Sequence, residues 1–515
     1  MMEVGYKSGV FYRYQKRLIQ RITKSSQQIE VFSKYFYTIG VTHFVVENEY
    51  IDGDYLKDYK NLYSTFFREE SRVTKRIHLF KIPEELWESV KGKEIFDFVE
   101  IDQFNNLTNS VKDLNDYYCG FSVMRPLGKK SISKTCIRTY GDDLSKDRKY
   151  MALGNFYANL YGVPLHIKTM PFQEQDGNVS VCATIALWSA LQTTSQKFNH
   201  YLPAPSEVTN LALSESSYAK KFPNEGLTIN QICVAISKVG LVPIVIDQIR
   251  SHRYLKSLIF AYLHANIPLI IGISLYDMGE DGHILKNTIS YHAITVNGYS
   301  FKQDPNTEKP YQEALLNLSG GKDVRLYSSK MTRFYAHDDQ LCPFAKMKFI
   351  DKIVGGSFMP ISTSWHSKSG KGLNKVAKIE AVVVPVEENI RITYANIEDK
   401  VYLTEEIIRK TLNTIEEKLG EVEWKIYIIE LNSFRKKILH SSSIGNEQKK
   451  KILMKKLPKY LWIAKLYSVD EDNSLTKLST YIFDTTSNVF DKILLADISY
   501  SETFKHISYS LYGKI

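Results

Sequence analysis

The sequence predicts an α+β fold: a buried, cysteine-bearing helix packed on an antiparallel sheet, flanked by N- and C-terminal α/β domains. Three observations carry this. VCATIALWSALQ (181–192) is apolar on nearly every face, as a helix enclosed on all sides must be. IPLIIGISL (267–275) and SYHAITVNGYS (290–300) are strand-like runs, the second alternating apolar and polar residues. On either side, helical and strand patterns alternate with turn signals.

The expected boundaries are 1–150 for an N-terminal α/β accessory domain, 151–345 for the central domain, and 346–515 for a C-terminal α+β accessory domain with a basic segment. In the first region, Tyr12 to about Tyr37 has helical spacing and Gly40 can cap its end. THFVVENEY is a strand candidate, and Asp52 and Asp54 are N-cap candidates for the helix that follows. Arg76–Ile82 reads as a strand, Pro83 opens a short helix, and YYCGFSVMRPL and SISKTCIRTY read as strands. In the centre, helices are expected at 226–240 and 255–265, and a polar excursion at 302–323. The third region offers strands at AVVVPV, YIIEL and YLWIAKLYSV, and helices at LTEEIIRKTLNTIEEKLG and after Gly445.

Composition excludes several classes. With 43% hydrophobic and 24% charged residues in 515, the chain is neither a disordered polyelectrolyte nor, with five cysteines, a disulfide scaffold. The net charge of +10 is mild for this length. No signal-peptide run or membrane span is read, so a cytoplasmic location is expected. No phosphate loop or dinucleotide fingerprint is present, and no cofactor or metal is expected. His337 with Asp338 and Asp339 is a metal alternative that no HExxH or CxxC spacing supports.

The chemistry concentrates on three positions. Cys182 falls where a glycine-containing loop meets the buried helix, and a helix N-terminus favours a thiolate and offers amides to an oxyanion. Gln175 and Gln173, seven and nine residues earlier, each carry an amide able to join that oxyanion hole. His292 opens an alternating strand 292 − 182 = 110 residues later, and Asp338 lies 338 − 292 = 46 residues further, with Asp339 an alternative orienter. His283 is a fallback base. Cysteine on a helix, then histidine and an acid on strands, gives a thiolate–imidazolium pair oriented by a third polar group. Cys119, Cys136, Cys233 and Cys342 lack a supporting histidine.

In QEQDGNVSVCATIALWSAL, PLIIGISL, YHAITVNGY and FYAHDDQLCPF, the central segment resembles papain-like-fold cysteine peptidases, and is similar to the bacteriocin-processing peptidases that cleave after double glycine. The whole chain, with GFSVMRPL and FQEQDGNVSVCATIALWSAL, resembles bacterial papain-like proteins of unassigned role. That resemblance implies a cysteine hydrolase acting on a peptide or isopeptide bond, with Cys182 as nucleophile, His292 as base and Asp338 as orienter. Gln175 would line the oxyanion hole. The departures are a glutamine-to-cysteine spacing of seven where the family usually has six, Ala183 where glycine is frequent, and Asp339 where proline often follows the acid. The second reading is a catalytically inactive binding or sensor protein with a papain-like shell. The expected partners are a protein or peptide substrate and a protein partner on the accessory domains. Nucleic acid is a weaker third, through Arg435–Lys459, where nine basic residues face one acid, Glu447.

Overall fold

The computed structural model describes residues 10–13, 26–65, 70–91, 112–127, 131–141, 148–176, 181–215, 226–247, 249, 251–279, 283–301, 324–350, 358, 360–363, 375–414, 419–470, 474–488, 494–499, 504 and 507. The expected polar excursion at 302–323 lies outside them. Helix and strand are both abundant and the paired sheets are antiparallel, which makes the chain α+β. The flanking regions are therefore α+β as well, not α/β, because their strands run antiparallel even where a helix lies in the connection. No helix among the described residues is long and apolar enough to cross a membrane.

The chain divides into two compact units, each interrupted in sequence: Met1–Gln248, Pro268–Gly298 and Arg333–Pro385 form one, and Ile249–Ile267, Tyr299–Thr332 and Val386–Ile515 the other. The sequence reading instead has three consecutive domains. It differs because strands far apart in the chain close one sheet, and because the central segment feeds both units.

In the first unit, strands β1 (Phe11–Arg13), β2 (His43–Tyr50), β3 (Thr74–Phe80), β4 (Tyr118–Met124) and β5 (Ile132–Ile137) form a five-stranded sheet in that order. Tyr12 and Arg13, expected at the start of a helix, pair with β2 instead; of the rest of that expectation, 14–25 lie outside the described residues and Ser26–Thr38 form helix α1. Helix α2 (Gly53–Asn61) begins where Asp52 accepts from the Tyr55 amide at 2.9 Å, an N-cap as expected. Pro83 precedes α3 (Glu84–Val90), and α4 (Lys112–Asp116) leads into β4. After β6 (Arg148–Tyr150), a hairpin of β7 (Gly154–Leu160) and β8 (Val163–Thr169) buries Phe156, Leu160, Leu165 and Ile167 in the same core as Phe80 and Val123. That hairpin thus shares the N-terminal core, past the expected boundary at 150.

Helices α5 (Cys182–Phe198), α6 (Pro205–Ala212) and α7 (Ile229–Lys238) follow, then β9 (Val242–Ile246). Strands β10 (Leu269–Met278), β11 (Ile284–Ser300), β12 (Arg333–Asp338), β13 (Cys342–Phe349), β14 (Ile361–Ser362) and β15 (Lys375–Val386) pair in sequence, and β10 also pairs β15. The expected antiparallel sheet is thereby a closed six-stranded barrel, which leaves β10 no free edge. Helix α5 packs on β10 and β12. Its Ala183, Ala186 and Ala190 share a core with Ile270, Ala293 and Val383, and these small side chains let the helix lie close to the barrel. Thr295 Oγ1 on β11 donates to the Ala186 carbonyl at 2.5 Å, fixing the helix against the strand.

The second unit holds α8 (His252–Leu263), α9 (Tyr394–Thr414), β16 (Val422–Glu430), α10 (Leu431–Leu439), α11 (Asn446–Met454), β17 (Tyr460–Val469), β18 (Leu475–Asp484) and β19 (Leu494–Ser499). The four strands form an antiparallel meander. One face carries Trp424, Ile426, Ile428 and Trp462; Trp424 Nε1 donates to Glu405 at 2.7 Å and Trp462 Nε1 to the Ile392 carbonyl at 2.8 Å.

Gly298 shows how tightly β6 lies on β11. A Cβ at this position would stand 2.7 Å from the Lys149 carbonyl oxygen, a backbone atom that cannot swing aside. Gly298→Ala is expected to destabilise the first unit by about 1–3 kcal/mol, read as a lower denaturation midpoint in urea.

Candidate active site

Cys182 is the first residue of α5, after Val181 in extended conformation. Val181, the N-cap, makes no side-chain hydrogen bond to the amides of the first turn. The cysteine is half-buried, whereas the helix behind it is buried from Ala183 to Thr194. The helix is buried there because Ala183, Ile185, Ala186, Leu187, Trp188, Ala190 and Leu191 place apolar side chains all round it.

His292 stands on β11 opposite Ile273 of β10, its ring wholly enclosed. Nε2 lies 3.0 Å from Asp338 Oδ1 and 3.6 Å from Asp339 Oδ1, and the Cys182 side chain is among the groups that favour the protonated ring. Burial alone would lower the basicity of this imidazole. The Asp338 charge and hydrogen bond, the contact with Cys182 and the Asp339 charge overcome it and hold the pKa well above the ordinary value.

The acid is set by a turn. Strand β12 shifts register between Ala336 and Asp338, and Asp338 Oδ1 accepts from the Gln340 backbone amide at 3.0 Å. The Gln340 side chain then reaches His292 Nδ1 at 3.4 Å. His337 points elsewhere: Nδ1 accepts from the Phe344 amide at 3.0 Å and lies 3.1 Å from Asn297 Nδ2, while Nε2 donates to the Met170 carbonyl at 2.9 Å. Burial brings its pKa down to about 4. The metal alternative of His337 with the two acids is thus not assembled. It is His292, Asp338 and Asp339 whose ligand atoms come within 4.8 Å of one another, and there Nε2 is already engaged by Asp338.

The two glutamines separate. Gln173 is buried, with Oε1 accepting from Ser133 Oγ at 3.3 Å. Gln175 is half-buried and its side chain makes no hydrogen bond among the described residues; residues 177–180 lie outside them. Their segment is stitched to β5 by paired bonds between Phe172 and Thr135, at 2.8 and 2.9 Å. Arg125 clamps it further, donating to the Glu174 carbonyl at 3.0 Å and pairing with Asp176 at 3.3 Å. Asp176 also accepts from Tyr63.

Arg125 and Gln340 have no role in the sequence reading. An arginine ending the apolar strand of GFSVMRPL demands a buried acceptor, and that signal was there to use. Gln340 has none, since its reach depends on the turn. His283, the fallback base, is exposed near the β10–β11 turn. Cys119, Cys136 and Cys342 are buried, with thiol pKa values pushed up by burial, to about 11 for Cys119; Cys233 is half-buried on α7, its pKa also raised.

No protein-family model matches the chain, and no curated protein matches it. The family resemblance therefore stands on the motif residues alone.

Neutralising both acids, as Asp338→Asn with Asp339→Asn, removes the charges that oppose desolvation and leaves only the Cys182 contribution against it, so the His292 midpoint is expected well below its native value in an NMR titration. The native pair contributes stability below the ordinary imidazole range and loses it as pH climbs through the raised folded midpoint. The double variant should show no such alkaline loss in urea titrations across pH.

Proposed function

We propose that the protein is a cysteine hydrolase with a papain-like catalytic arrangement, acting on a peptide or isopeptide bond. The single observation that supports this best is the buried His292–Asp338 pair, bonded through Nε2, with Cys182 among the groups that raise the imidazole pKa. With Nε2 held by the acid, Nδ1 is the nitrogen able to exchange a proton with Sγ.

In this reading Sγ attacks the carbonyl carbon of the scissile bond, and negative charge develops on its oxygen. The Cys182 amide, at the start of α5, and the Gln175 side chain stabilise that oxygen. The imidazolium gives its proton to the leaving amine, which departs and leaves a thioester. Water, deprotonated by the now neutral ring, cleaves the thioester and restores the pair. The barrel holds histidine and acid, the helix holds the thiol, and Thr295 ties the two together. Preorganisation of this kind keeps the reacting groups from reorganising during the step.

Cys182→Ala is expected to abolish cleavage of a peptide library read by mass spectrometry, a loss on the order of 10⁴-fold or more. Turnover retained by that variant would sink the reading. Gln175→Ala should lower kcat by roughly 10²–10³-fold, with Gln173→Ala acting on stability instead. Iodoacetamide near neutral pH should label Cys182 fast and selectively. Slow, uniform labelling of all five cysteines would favour the non-catalytic binding shell.

A further inference from the structure

Four lysines gather on the second face of the β16–β19 sheet, the face opposite Trp424 and Trp462. Lys425 on β16 sits directly opposite Lys465 on β17, and Lys477 on β18 sits opposite Tyr467. Lys437 of α10 and Lys465 both lie over the Tyr427 ring, at 5.6 and 5.7 Å, and Lys425 lies over Tyr327 at 3.9 Å and Tyr467 at 4.6 Å. Like charges directly across an antiparallel pair oppose folding. Here the opposed pair is also half-buried, so its hydration is reduced, and the Glu423 charge offsets that only in part at Lys425.

The acids of this face do not resolve the conflict. Glu423, on the same face, is taken by Lys330 at 2.7 Å and Arg325 at 3.8 Å. Neither Lys425 nor Lys465 has a carboxylate within ion-pair distance among the described residues. Lys437 bonds His264 Nε2 at 3.1 Å, and burial followed by the Lys437 and Lys465 charges brings that histidine down to about 3, a neutral acceptor only. Burial, then Lys477, Lys437 and Lys425, brings Lys465 down to about 8. The ring contacts beyond 5 Å give back only part of the lost hydration.

We propose that this face is a binding site for a small, multiply charged phosphate group, held by Lys425, Lys437, Lys465 and Lys477 beside the Tyr427 and Tyr467 rings. An anion placed among the four ammonium groups converts mutual repulsion into attraction, and lysines suit it as point charges without a fixed fork. A compact ligand fits better than a polymer. The charges come from three strands and a helix around two rings, not along an exposed track such as a nucleic-acid backbone follows. This proposal is independent of the hydrolase reading.

Calorimetry on the full chain at about 0.15 M salt, with inorganic tripolyphosphate as probe, tests it. Saturable one-to-one binding is expected, weakened about tenfold or more by Lys465→Met or Lys425→Met, and unchanged by Lys450→Met on the exposed face of α11. Unliganded Lys465→Met should also melt above the native protein, since repulsion and desolvation are relieved. Tighter binding of ATP than of tripolyphosphate would identify a nucleotide as the source of the phosphates; equal binding would identify the phosphates themselves. Non-saturable binding, an equal loss in Lys450→Met, or preference for a single-stranded oligonucleotide would each overturn the proposal.

Discussion

The buried charge pair between His292 and Asp338 is the constraint on which the first unit turns. An imidazolium enclosed on all sides is tolerated only if a carboxylate meets it at hydrogen-bond distance, because desolvation otherwise discharges the ring. Meeting that demand fixes much else. Strands β11 and β12 must lie side by side, the turn after β12 must aim Asp338 inward, and the barrel must close behind them to keep water out. The Asp338–Gln340 bond and the register shift at Ala336 are the local means by which the turn meets it.

That turn also separates two histidines that a regular strand would leave ambiguous. His292 sits among negative charge, which raises its pKa, whereas His337 faces two N–H donors and one carbonyl and its pKa falls. Same residue type, same unit, opposite shifts: the difference lies in the groups each ring meets. His337 consequently acts as a strut, tying Met170, at the start of the glutamine segment, to the strand that carries the acid. Arg125 does the same from the N-terminal sheet. The segment from Met170 to Asp176, which carries both glutamines, is thus held from two directions.

Much of this was legible in the chain. The enclosed helix at Cys182, the alternation around His292 and the cap at Asp52 are local signals, and the structure forms each where its residues point. Barrel closure was not legible, because β15 joins β10 across about a hundred residues, and nothing in either strand encodes its partner. The hairpin of β7 and β8 drew no notice, though its alternation from Gly154 to Leu160 is regular. Tyr12 and Arg13 lie at the start of the expected helix but become strand with Phe11, since β2 offers them a sheet edge. Tertiary pairing overrides local preference in such short pieces.

The second unit makes a comparable point about its two sheet faces. On one, each tryptophan N–H finds an oxygen within the fold, Glu405 for Trp424 and the Ile392 carbonyl for Trp462. Local propensity, packing and polar satisfaction agree there, as they do in a region selected for stability. On the other, lysine faces lysine across a ladder and the nearest acid is spent on Lys330 and Arg325. The same strands supply both faces, alternating residue by residue, yet only on the second does one lysine stand directly across from another. A threonine or glutamine at 425 or 465 would fit the pleat without the repulsion. Ammonium groups kept there against that electrostatic cost are explained by an anion that the fold alone does not supply.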